Sequence, residues 1–392
     1  MGIKNLKSIL VNKCQNAIVQ RKLSCYNGLV VGIDLSIFLY KYMYNNNDLV
    51  GGLTRLILRL LKNNIYPVFV FDGKPPKEKD DILAERKLKR EYMYMKKDIL
   101  CLIDENKDCL NKDELIVKIN EYIGSRNNNF KLEPDKIELY LNNDFNIKEE
   151  IEKIDKKIIV IRSEHIDQVK QLFDYFGVSY IHAPCEAESL LAVLCKKNII
   201  DCCITEDMDI LANGCQVFLK NFSSDKNVVD EYCLEGILNN LEITYEQFVD
   251  LCILCGCDYT TKIYGIGHVN AYKLIKKYNN IEGILENIKS MPKFKVPDDF
   301  DYKSARRLFF EPFDYNEIGK YVGELEMKTP DIEGLLQLLN TTKIHKKYTK
   351  EIEENLMSYY LNIQSAKKFS TMLNEVETSQ KKKQPLITNY FL

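Results

Sequence analysis

The chain has 392 residues, of which 45% are hydrophobic and 29% charged, and its formal net charge is −2. This is ordinary globular composition, and the length allows a sizeable core and more than one domain. The near-zero net charge excludes a general polycation, so any nucleic-acid surface must be a local concentration of basic residues. We expect neither a signal peptide, because Lys4 and Lys7 interrupt the short N-terminal apolar run, nor a membrane span.

The 13 cysteines are expected to be buried thiols, because disulfide frameworks are typical of small secreted domains. Cys252, Cys255 and Cys257 form the densest group. They lack the second C-x-x-C or the histidine pair of a typical zinc site, which disfavours zinc there. The sequence has four histidines and no Ser-His-Asp signature, which disfavours nucleophilic triad chemistry.

Alternating strands and helices predict a parallel sheet in the first third of the chain. The predicted elements are strand 28–35, helix 36–44, helix 53–62 and strand 65–71. Asp34 and Asp72 come at the ends of the two strands, where ligands of parallel sheets gather. An aspartate there is often only a turn former or a helix cap. Two on neighbouring strands favour a shared site.

The stretch 183–209 carries two acidic pairs, Glu186 with Glu188 and Asp207 with Asp209, around a helical run and a short strand at 201–205. Two carboxylates about 5 Å apart repel by roughly 3 kcal/mol at an effective dielectric near 20. A gathering of such groups therefore predicts a hard divalent cation among them. For one pair alone, solvated acids at a helix start would be the better interpretation.

The segment 74–97 concentrates basic charge, and a helix is predicted to begin near Asp80. Lys79 and Arg86 are seven residues apart, which predicts a shared helical face. A solvated face with mixed ion pairs and a phosphate-facing helix fit this segment equally well.

Residues 98–155 are charged, rich in asparagine and weakly patterned, and we interpret them as an inserted, mobile region with a helix near 113–122.

Residues 248–278 read as helix, loop, helix, after a predicted helix 163–176 and strands 178–181 and 216–220. The loop holds Asp258 and the turn formed by Gly265, Ile266 and Gly267. Such a turn lets backbone N–H groups approach a phosphate at a helix N-terminus. It is typical of a helix-hairpin-helix that grips the DNA backbone without reading sequence.

These residues together resemble the flap endonuclease family, the structure-specific 5′ nucleases of the XPG type. The matching pieces, in family order, are MGIKNL, GIDLSIFLY, VFVFDGKPP, APCEAES, TEDMD and FVDLCILCGCDY followed by GIG. The resemblance covers most of the chain except residues 98–155. It implies an α/β fold of the PIN or 5′-nuclease type, with a central, mostly parallel sheet flanked by helices, a helical arch near residues 77–176 and a helix-hairpin-helix.

The resemblance also implies site residues. Two Mg²⁺ ions, for which Mn²⁺ could substitute, would be held by Asp34, Asp72, Glu186, Glu188, Asp207, Asp209 and Asp258. Lys79 and Arg86 would neutralise charge on the phosphoryl group. DNA contacts are expected from Gly2, Tyr40, Gly265, Gly267, Lys273, Lys276 and Lys277, although a core-facing Tyr40 is as good an interpretation. His268, Val269 and Asn270 stand where the family commonly carries basic residues. Unless Lys273, Lys276 and Lys277 compensate, this predicts a shallower salt dependence of DNA binding.

The C-terminus carries a separate signal. Gln384, Ile387, Tyr390 and Phe391 fit the Q-x-x-h-x-x-a-a pattern of peptides that bind a PCNA-type sliding clamp. A disordered apolar tail is the alternative. The aromatic pair at this offset, after a basic linker, favours clamp binding.

We therefore predict a monomeric 5′ flap endonuclease with 5′–3′ exonuclease activity, acting on branched DNA in Okazaki fragment maturation and repair. Alternatives are an exonuclease-1-like or junction-resolving nuclease, an RNA-cutting relative, and a non-catalytic DNA and clamp adaptor. The expected location is nuclear, or else a cytoplasmic viral replication compartment. The predicted divisions are 1–97 nuclease with the start of the arch, 98–155 insertion, 156–255 nuclease, 256–340 DNA-binding helices, 341–383 helical segment and linker, and 384–392 clamp peptide.

Overall fold

The structure, a computed structural model, describes residues 2–44, 48–126, 139–140, 145–222, 227–314, 318–319, 325–342, 344 and 346–377, without the side chains of 366–377. Two compact units divide the chain. The first comprises Met1–Tyr42, Asn47–Lys79 and Ser163–Leu392, and the second comprises Met43–Asn46 and Asp80–Arg162. None of the helices in the described ranges is long and apolar enough to cross a membrane.

A seven-stranded mixed sheet forms the centre of the first unit. Its strands are β1 Ile18–Lys22, β2 Val30–Asp34, β3 Tyr66–Phe71, β4 Ser179–His182, β5 Cys202–Ile204, β6 Val217–Lys220 and β7 Val228–Cys233. They lie in the order β1-β7-β6-β5-β2-β3-β4, with β6, β5, β2, β3 and β4 parallel and with β7 and β1 added antiparallel. The prediction of a mostly parallel sheet is therefore confirmed.

The helices are numbered along the described residues. They are α1 Leu6–Lys13, α2 Leu35–Tyr44, α3 Leu49–Lys62, α4 Asp80–Asn106, α5 Lys112–Ser125, α6 Ile147–Lys157, α7 Ser163–Phe176, α8 Ala187–Lys196, α9 Asp209–Ala212, α10 Leu234–Leu241, α11 Tyr245–Cys255, α12 His268–Tyr278, α13 Ile281–Ile288, α14 Tyr302–Phe310, α15 Ile332–Asn340 and α16 Lys346–Glu377. The predicted strands and helices of the nuclease region are found with shifted ends.

Apolar packing fixes the sheet against its helices. Strand β3 is buried at every position, as expected for an internal strand of a parallel sheet covered on both faces. Phe69 on β3 stacks on Phe173 of α7, with 4.2 Å between the ring centroids. Helix α3 packs against β3, α7 and α16, and α8 packs against β2, β3 and β5.

Strands β1 and β7 were not predicted from the sequence. Their patterns mix polar and apolar residues, and a buried carboxylate stabilises their pairing. Glu231 of β7, which is 2% exposed, accepts hydrogen bonds from Arg21 of β1 at 2.8 Å and from the Tyr26 hydroxyl at 2.8 Å. A buried charge is tolerated when it is paired and hydrogen-bonded in this way.

The second unit has an apolar core of its own. Residues of α4, α5 and α6 form it, with Met95, Ile99, Leu100, Ile103, Ile119, Tyr140, Ile147, Ile154 and Ile158 buried. Lys96 and Lys97 of α4 form ion pairs with Glu150 and Asp155 of α6, each at 2.5 Å. The described part of 98–155 is thus largely packed helix, in which isoleucines recur at helical spacing, and the helix predicted near 113–122 is α5. That this region is an insertion and mobile stays a prediction.

A buried ion pair joins three helices of the first unit. The Arg306 guanidinium of α14 donates to both carboxylate oxygens of Asp250 in α11, at 2.8 and 2.9 Å, and to Glu282 of α13. The Asp250 side chain is 3% exposed. Removing one partner of such a pair leaves a buried charge without compensation.

We expect Arg306→Ala to lower the free energy of unfolding by about 3 kcal/mol, because Asp250 would keep only the Ile281 N–H as a donor. The neighbouring Arg307→Ala is the matched control. Arg307 pairs with Glu78 on the surface, so its loss should cost less than about 1 kcal/mol. Urea denaturation of both variants measures the difference, and equal losses would contradict the assignment.

Candidate active site

The carboxyl edge of the sheet brings acidic residues together. Asp34 is the last residue of β2 and Asp72 directly follows β3, and these strands are parallel neighbours. The four residues of the acidic pairs follow β4 and β5, and Asp258 follows α11. Six of the seven predicted carboxylates thus follow four neighbouring parallel strands, at the edge where parallel sheets bind ligands, and the seventh, Asp258, follows a helix.

Burial of these carboxylates is graded. Asp34, Glu188 and Asp209 are buried, with 3%, 9% and 1% of their surface exposed. Glu186, Asp207 and Asp258 are partly exposed, and Asp72 is exposed. The cluster is therefore a pocket with a closed floor and a side open to solvent.

Neighbouring hydrogen bonds orient the carboxylates. The Thr205 hydroxyl, at the end of β5, donates to Asp34 Oδ2 at 2.9 Å and accepts from the Asp207 N–H at 3.0 Å. Asp72 accepts from the Ser36 hydroxyl and, at 2.8 Å, from the Ala187 N–H in the first turn of α8. Asp34 thus accepts through Oδ2 alone, whereas each oxygen of Asp72 accepts one hydrogen bond and keeps a second lone pair.

Burial and mutual repulsion raise the pKa values of the three buried acids. Burial, and then the Asp72 charge, raise the pKa of Asp34 to about 7. Burial raises the pKa of Glu188 well above its ordinary value, and Asp34 and Glu186 add to the rise. The pKa of Asp209 rises well above its ordinary value, first from burial and then from Asp207. Without further positive charge, the buried acids compete for protons.

The donor set fits a divalent cation. Carboxylate oxygens of Glu188, Asp207 and Asp209 lie within 4.8 Å of one another. Asp34 Oδ1 and Asp209 Oδ1 are buried and have no hydrogen-bond partner among the residues that the structure describes. Buried polar atoms are nearly always satisfied, so two orphaned carboxylate oxygens in one acidic pocket indicate ligand positions. Hard cations such as Mg²⁺ take these ligands.

Lys79 is a buried cation inside the acidic pocket. Its ammonium donates to Glu186 Oε1 and lies 3.9 Å from Asp258 Oδ2, with its side chain 7% exposed. Burial lowers its pKa, but the Glu186 charge and hydrogen bond outweigh this, so the pKa is raised overall. Tyr259 completes the arrangement, donating to Glu186 Oε2 at 2.7 Å.

One prediction about Lys79 was wrong. Lys79 ends a short 3-10 turn, Lys77–Lys79, and α4 begins at Asp80, so Lys79 and Arg86 do not share one helical face. Two acids at the start of α4 favour helix initiation after Lys79. Arg86 lies within α4, in the second unit, and its role stays a prediction.

Gly2 lies against the acidic loop. Its φ is +87°, and a Cβ at this position would be 2.0 Å from Asp207 Oδ1 and 2.7 Å from Asp209 Oδ1. Only glycine combines this backbone conformation with so close an approach. The N-terminal segment is held in place by the Lys4 N–H, which donates to the Gly256 carbonyl at 3.0 Å.

The helix-hairpin-helix lies where the sequence predicted it. Helix α11 ends at Cys255 with Gly256 as its C-cap, and Gly267 precedes α12 as its N-cap. Gly265 has φ +85°, and a Cβ there would be 2.4 Å from the Lys293 carbonyl oxygen. Lys273, Lys276 and Lys277 are exposed on α12, and Lys276 also donates to Glu242 at 3.0 Å. Their contact with DNA stays a prediction.

Sequence reasoning missed several residues beside these sites. Lys295 pairs with Tyr264 in an isolated antiparallel bridge, which brings exposed Lys293 and Lys295 beside the glycine turn. They add basic charge where His268 and Val269 supply little. Three polar residues stand within two positions of a predicted metal ligand: Ser36, Thr205 and Tyr259. Their proximity to the acids in the sequence is the feature that could have identified them.

Three further predictions have different outcomes. Tyr40 is 48% exposed on α2, so a core-facing position is excluded, and its stacking on a base stays a prediction. The clamp residues Gln384, Ile387, Tyr390 and Phe391 lie outside the described residues. Cys252, Cys255 and Cys257 do not form a ligand group among the residues that the structure describes, and the expectation of no zinc site there stays a prediction.

Comparison with known proteins identifies the family. The XPG N-terminal domain matches residues 1–93 and the XPG I-region matches residues 177–258. Flap endonuclease 1-A of Sorghum bicolor is 33% identical over 86% of this chain and 82% of its own length. Flap endonuclease 1 of Entamoeba histolytica is 33% identical over 88% of this chain and 84% of its own.

Solved structures share the fold. The catalytic core of Rad2 in complex with DNA substrate has a TM-score of 0.64 at 22% identity, over 91% of this chain and 100% of that chain. Flap endonuclease-1 from Methanococcus jannaschii has a TM-score of 0.56 at 20% identity, over 88% and 98%. The fold and the acidic pocket define a metal-dependent DNA nuclease of the XPG type. The chain belongs to the flap endonuclease family and is a structure-specific 5′ flap endonuclease.

We expect Gly2→Ala to lower flap cleavage at least tenfold, because the added methyl group would displace Asp207 and Asp209. Gly124→Ala is the matched control, since a Cβ there meets no atom within 4 Å. Single-turnover cleavage of a labelled flap substrate measures both. Wild-type rates for Gly2→Ala would show that the close approach at Gly2 does not matter.

Proposed function

We propose that this flap endonuclease uses two Mg²⁺ ions, for which Mn²⁺ can substitute, to cut 5′ flaps near the junction during Okazaki fragment maturation and repair. It also removes nucleotides 5′–3′ from nicked or gapped duplex. The observation that carries the proposal is the pair of orphaned oxygens, Asp34 Oδ1 and Asp209 Oδ1, within a cluster of seven acids. A nuclease metal centre accounts for both.

The seven carboxylates would hold the ions in two groups. Asp34, Asp72, Glu186 and Glu188 would lie nearer one ion, and Asp207, Asp209 and Asp258 nearer the other. When bound, a pair of divalent cations activates water and stabilises the charge that develops in phosphodiester hydrolysis. Thr205 fixes the orientation of Asp34, and the Ala187 N–H fixes that of Asp72.

Lys79 contributes positive charge from the protein side. Held by Glu186 and close to Asp258, its ammonium reduces repulsion among the acids. With substrate bound, the same ammonium can donate to a phosphate oxygen and stabilise charge that develops there. Arg86 would add a second cation to the phosphate. Tyr259 keeps Glu186 in its orientation through the hydrogen bond to Oε2.

Duplex DNA would bind along the helix-hairpin-helix. The N-terminus of α12 after Gly267 offers unpaired backbone N–H groups to a phosphate. Lys273, Lys277, Lys293 and Lys295 add exposed positive charge nearby. These groups contact the backbone and carry no base information, which suits an enzyme that recognises structure. Tyr40 would stack on a base at the junction.

The central test is cleavage of a 5′-labelled double-flap DNA with Mg²⁺ or with EDTA. We expect one dominant product near the junction with Mg²⁺, none with EDTA, and a loss of at least 100-fold in Asp207→Asn, because that variant loses a ligand charge. Asp167→Asn, which removes an equal charge from an exposed face of α7, should cleave like the wild type.

The product pattern separates the alternatives. Stepwise shortening of nicked duplex without flap cutting would identify an exonuclease-like enzyme, and paired symmetric cuts in a four-way junction would identify a resolving enzyme. Binding of flap DNA without any cleavage would favour a non-catalytic adaptor. Equal activity of Asp207→Asn and the wild type would contradict the proposed metal centre.

We also propose that residues 384–392 bind a PCNA-type sliding clamp, that the enzyme is a monomer on DNA, and that it acts in the nucleus or at a cytoplasmic viral replication site. The clamp proposal is supported by the spacing of Gln384, Ile387, Tyr390 and Phe391. Such a peptide would place one aliphatic and two aromatic side chains in an apolar pocket.

We expect Phe391→Ala to weaken clamp binding at least tenfold, since buried aromatic anchors carry much of the affinity of small interfaces. Asn389→Ala is the matched control, because its position is variable in the pattern. Surface plasmon resonance of the full chain over immobilised clamp measures both variants. Equal affinities would exclude this peptide as the binding segment.

A further inference from the structure

Three cysteines converge beside strand β5. Cys195 lies near the end of α8, Cys203 on β5, and Cys215 between α9 and β6. Their sulfur atoms all lie within 4.8 Å of one another, and those of Cys203 and Cys215 are 3.5 Å apart. Nothing in the nuclease reaction uses these thiols.

The spacing suits a metal ion bound by three thiolates. Thiolate sulfurs lie about 2.3 Å from a bound zinc ion. Three sulfurs at about that distance around one ion are roughly 4 Å from one another, by the same bond length. The Cys203–Cys215 separation of 3.5 Å is close to this value, and the other two separations are at most 4.8 Å, so the three sulfurs lie near the spacing that a bound soft ion requires. Thiolate sets of this kind select soft cations such as Cu(I) over Mg²⁺.

A lysine and a surface cleft lie next to the three cysteines. The Lys196 ammonium lies beside the cluster: a Cβ at Gly214 would be 2.6 Å from its Nζ, and Nζ lies 5.4 Å from the Tyr245 ring centroid. This cation would offset part of the negative charge of three thiolates. Lys196, Gly214 and Gln216 also line a surface cleft, and they are the chain neighbours of Cys195 and Cys215. The cleft therefore borders residues that adjoin two of the three cysteines in the chain.

We propose that Cys195, Cys203 and Cys215 form a binding site for one soft monovalent cation, Cu(I), in trigonal coordination. The described residues supply three sulfur ligands at this position. A structural zinc ion would need a fourth ligand, whereas Cu(I) does not. Binding forms three Cu–S bonds, releases the three thiol protons to solvent and transfers no electrons, because copper enters as Cu(I). The site is separate from the carboxylates, which prefer hard cations.

The free thiols have an alternative arrangement without metal. Cys195 donates to the Asp201 carbonyl at 3.7 Å, Cys203 to the Leu191 carbonyl at 3.7 Å, and Cys215 to the Val217 carbonyl at 3.2 Å. Three such cysteines could serve only as small buried core residues. Metal uptake distinguishes the two functions of the cluster.

The test is anaerobic transfer of Cu(I) from a chromophoric chelator to the full-length protein, with excess Mg²⁺ present to occupy the carboxylates. We expect one Cu(I) per chain in the wild type and at least a hundredfold weaker binding in Cys203→Ala. Cys202→Ala is the matched control. Cys202 is equally buried on the same strand, but successive strand residues face opposite sides of a sheet, so it should bind like the wild type.

A second measurement does not depend on the variants. X-ray absorption at the copper edge of the loaded wild type should show three sulfur neighbours. Cys195→Ala, at the helix end and 4% exposed, replaces Cys203→Ala if the latter does not fold by circular dichroism. No uptake by the wild type, uptake unchanged in the cluster variants, or copper bound by nitrogen and oxygen would overturn the proposal.

Discussion

Electrostatic repulsion among clustered carboxylates is the constraint on which the rest of this structure depends. The parallel strands deliver Asp34, Asp72 and the two acidic pairs to one edge, where several of them are buried together. Burial and the neighbouring negative charges raise the pKa of Asp34 to about 7. In the absence of cations, full ionisation of the clustered acids is therefore unfavourable. Bound metal ions would stabilise this arrangement, because any ligand that binds the folded state stabilises it.

The surrounding structure limits how the acids can relax. Thr205 and the Ala187 N–H each fix one carboxylate, and Gly2 allows the N-terminal segment to close over Asp207 and Asp209. Lys79 is drawn into the pocket as a cation of the protein itself, although burial alone would disfavour its charge. The site is therefore preorganised for positive charge before any substrate arrives, which is how electrostatic catalysis gains most of its effect.

Sequence reasoning found the residues whose chemistry is local in the chain. The apolar runs ending in Asp34 and Asp72 predicted neighbouring strands, and the glycine turn predicted the hairpin before α12. Strands β1 and β7 were missed because Glu231 becomes favourable only through Arg21 and Tyr26, which are distant in sequence. The cysteine cluster was missed for the same reason: Cys195, Cys203 and Cys215 have no metal-site spacing and meet only through the order of β5 and β6. The burial of Lys79 likewise depends on tertiary contacts.

The central claim is that the carboxylate pocket is a two-metal centre. Its most direct test is anomalous diffraction from crystals of the protein grown or soaked with Mn²⁺, which can replace Mg²⁺ and scatters anomalously. The account predicts two peaks, one ligated by the group containing Asp34 and Glu188 and the other by the group containing Asp207 and Asp209. An acidic pocket without bound manganese at saturating concentration, or manganese bound only outside it, would contradict the account.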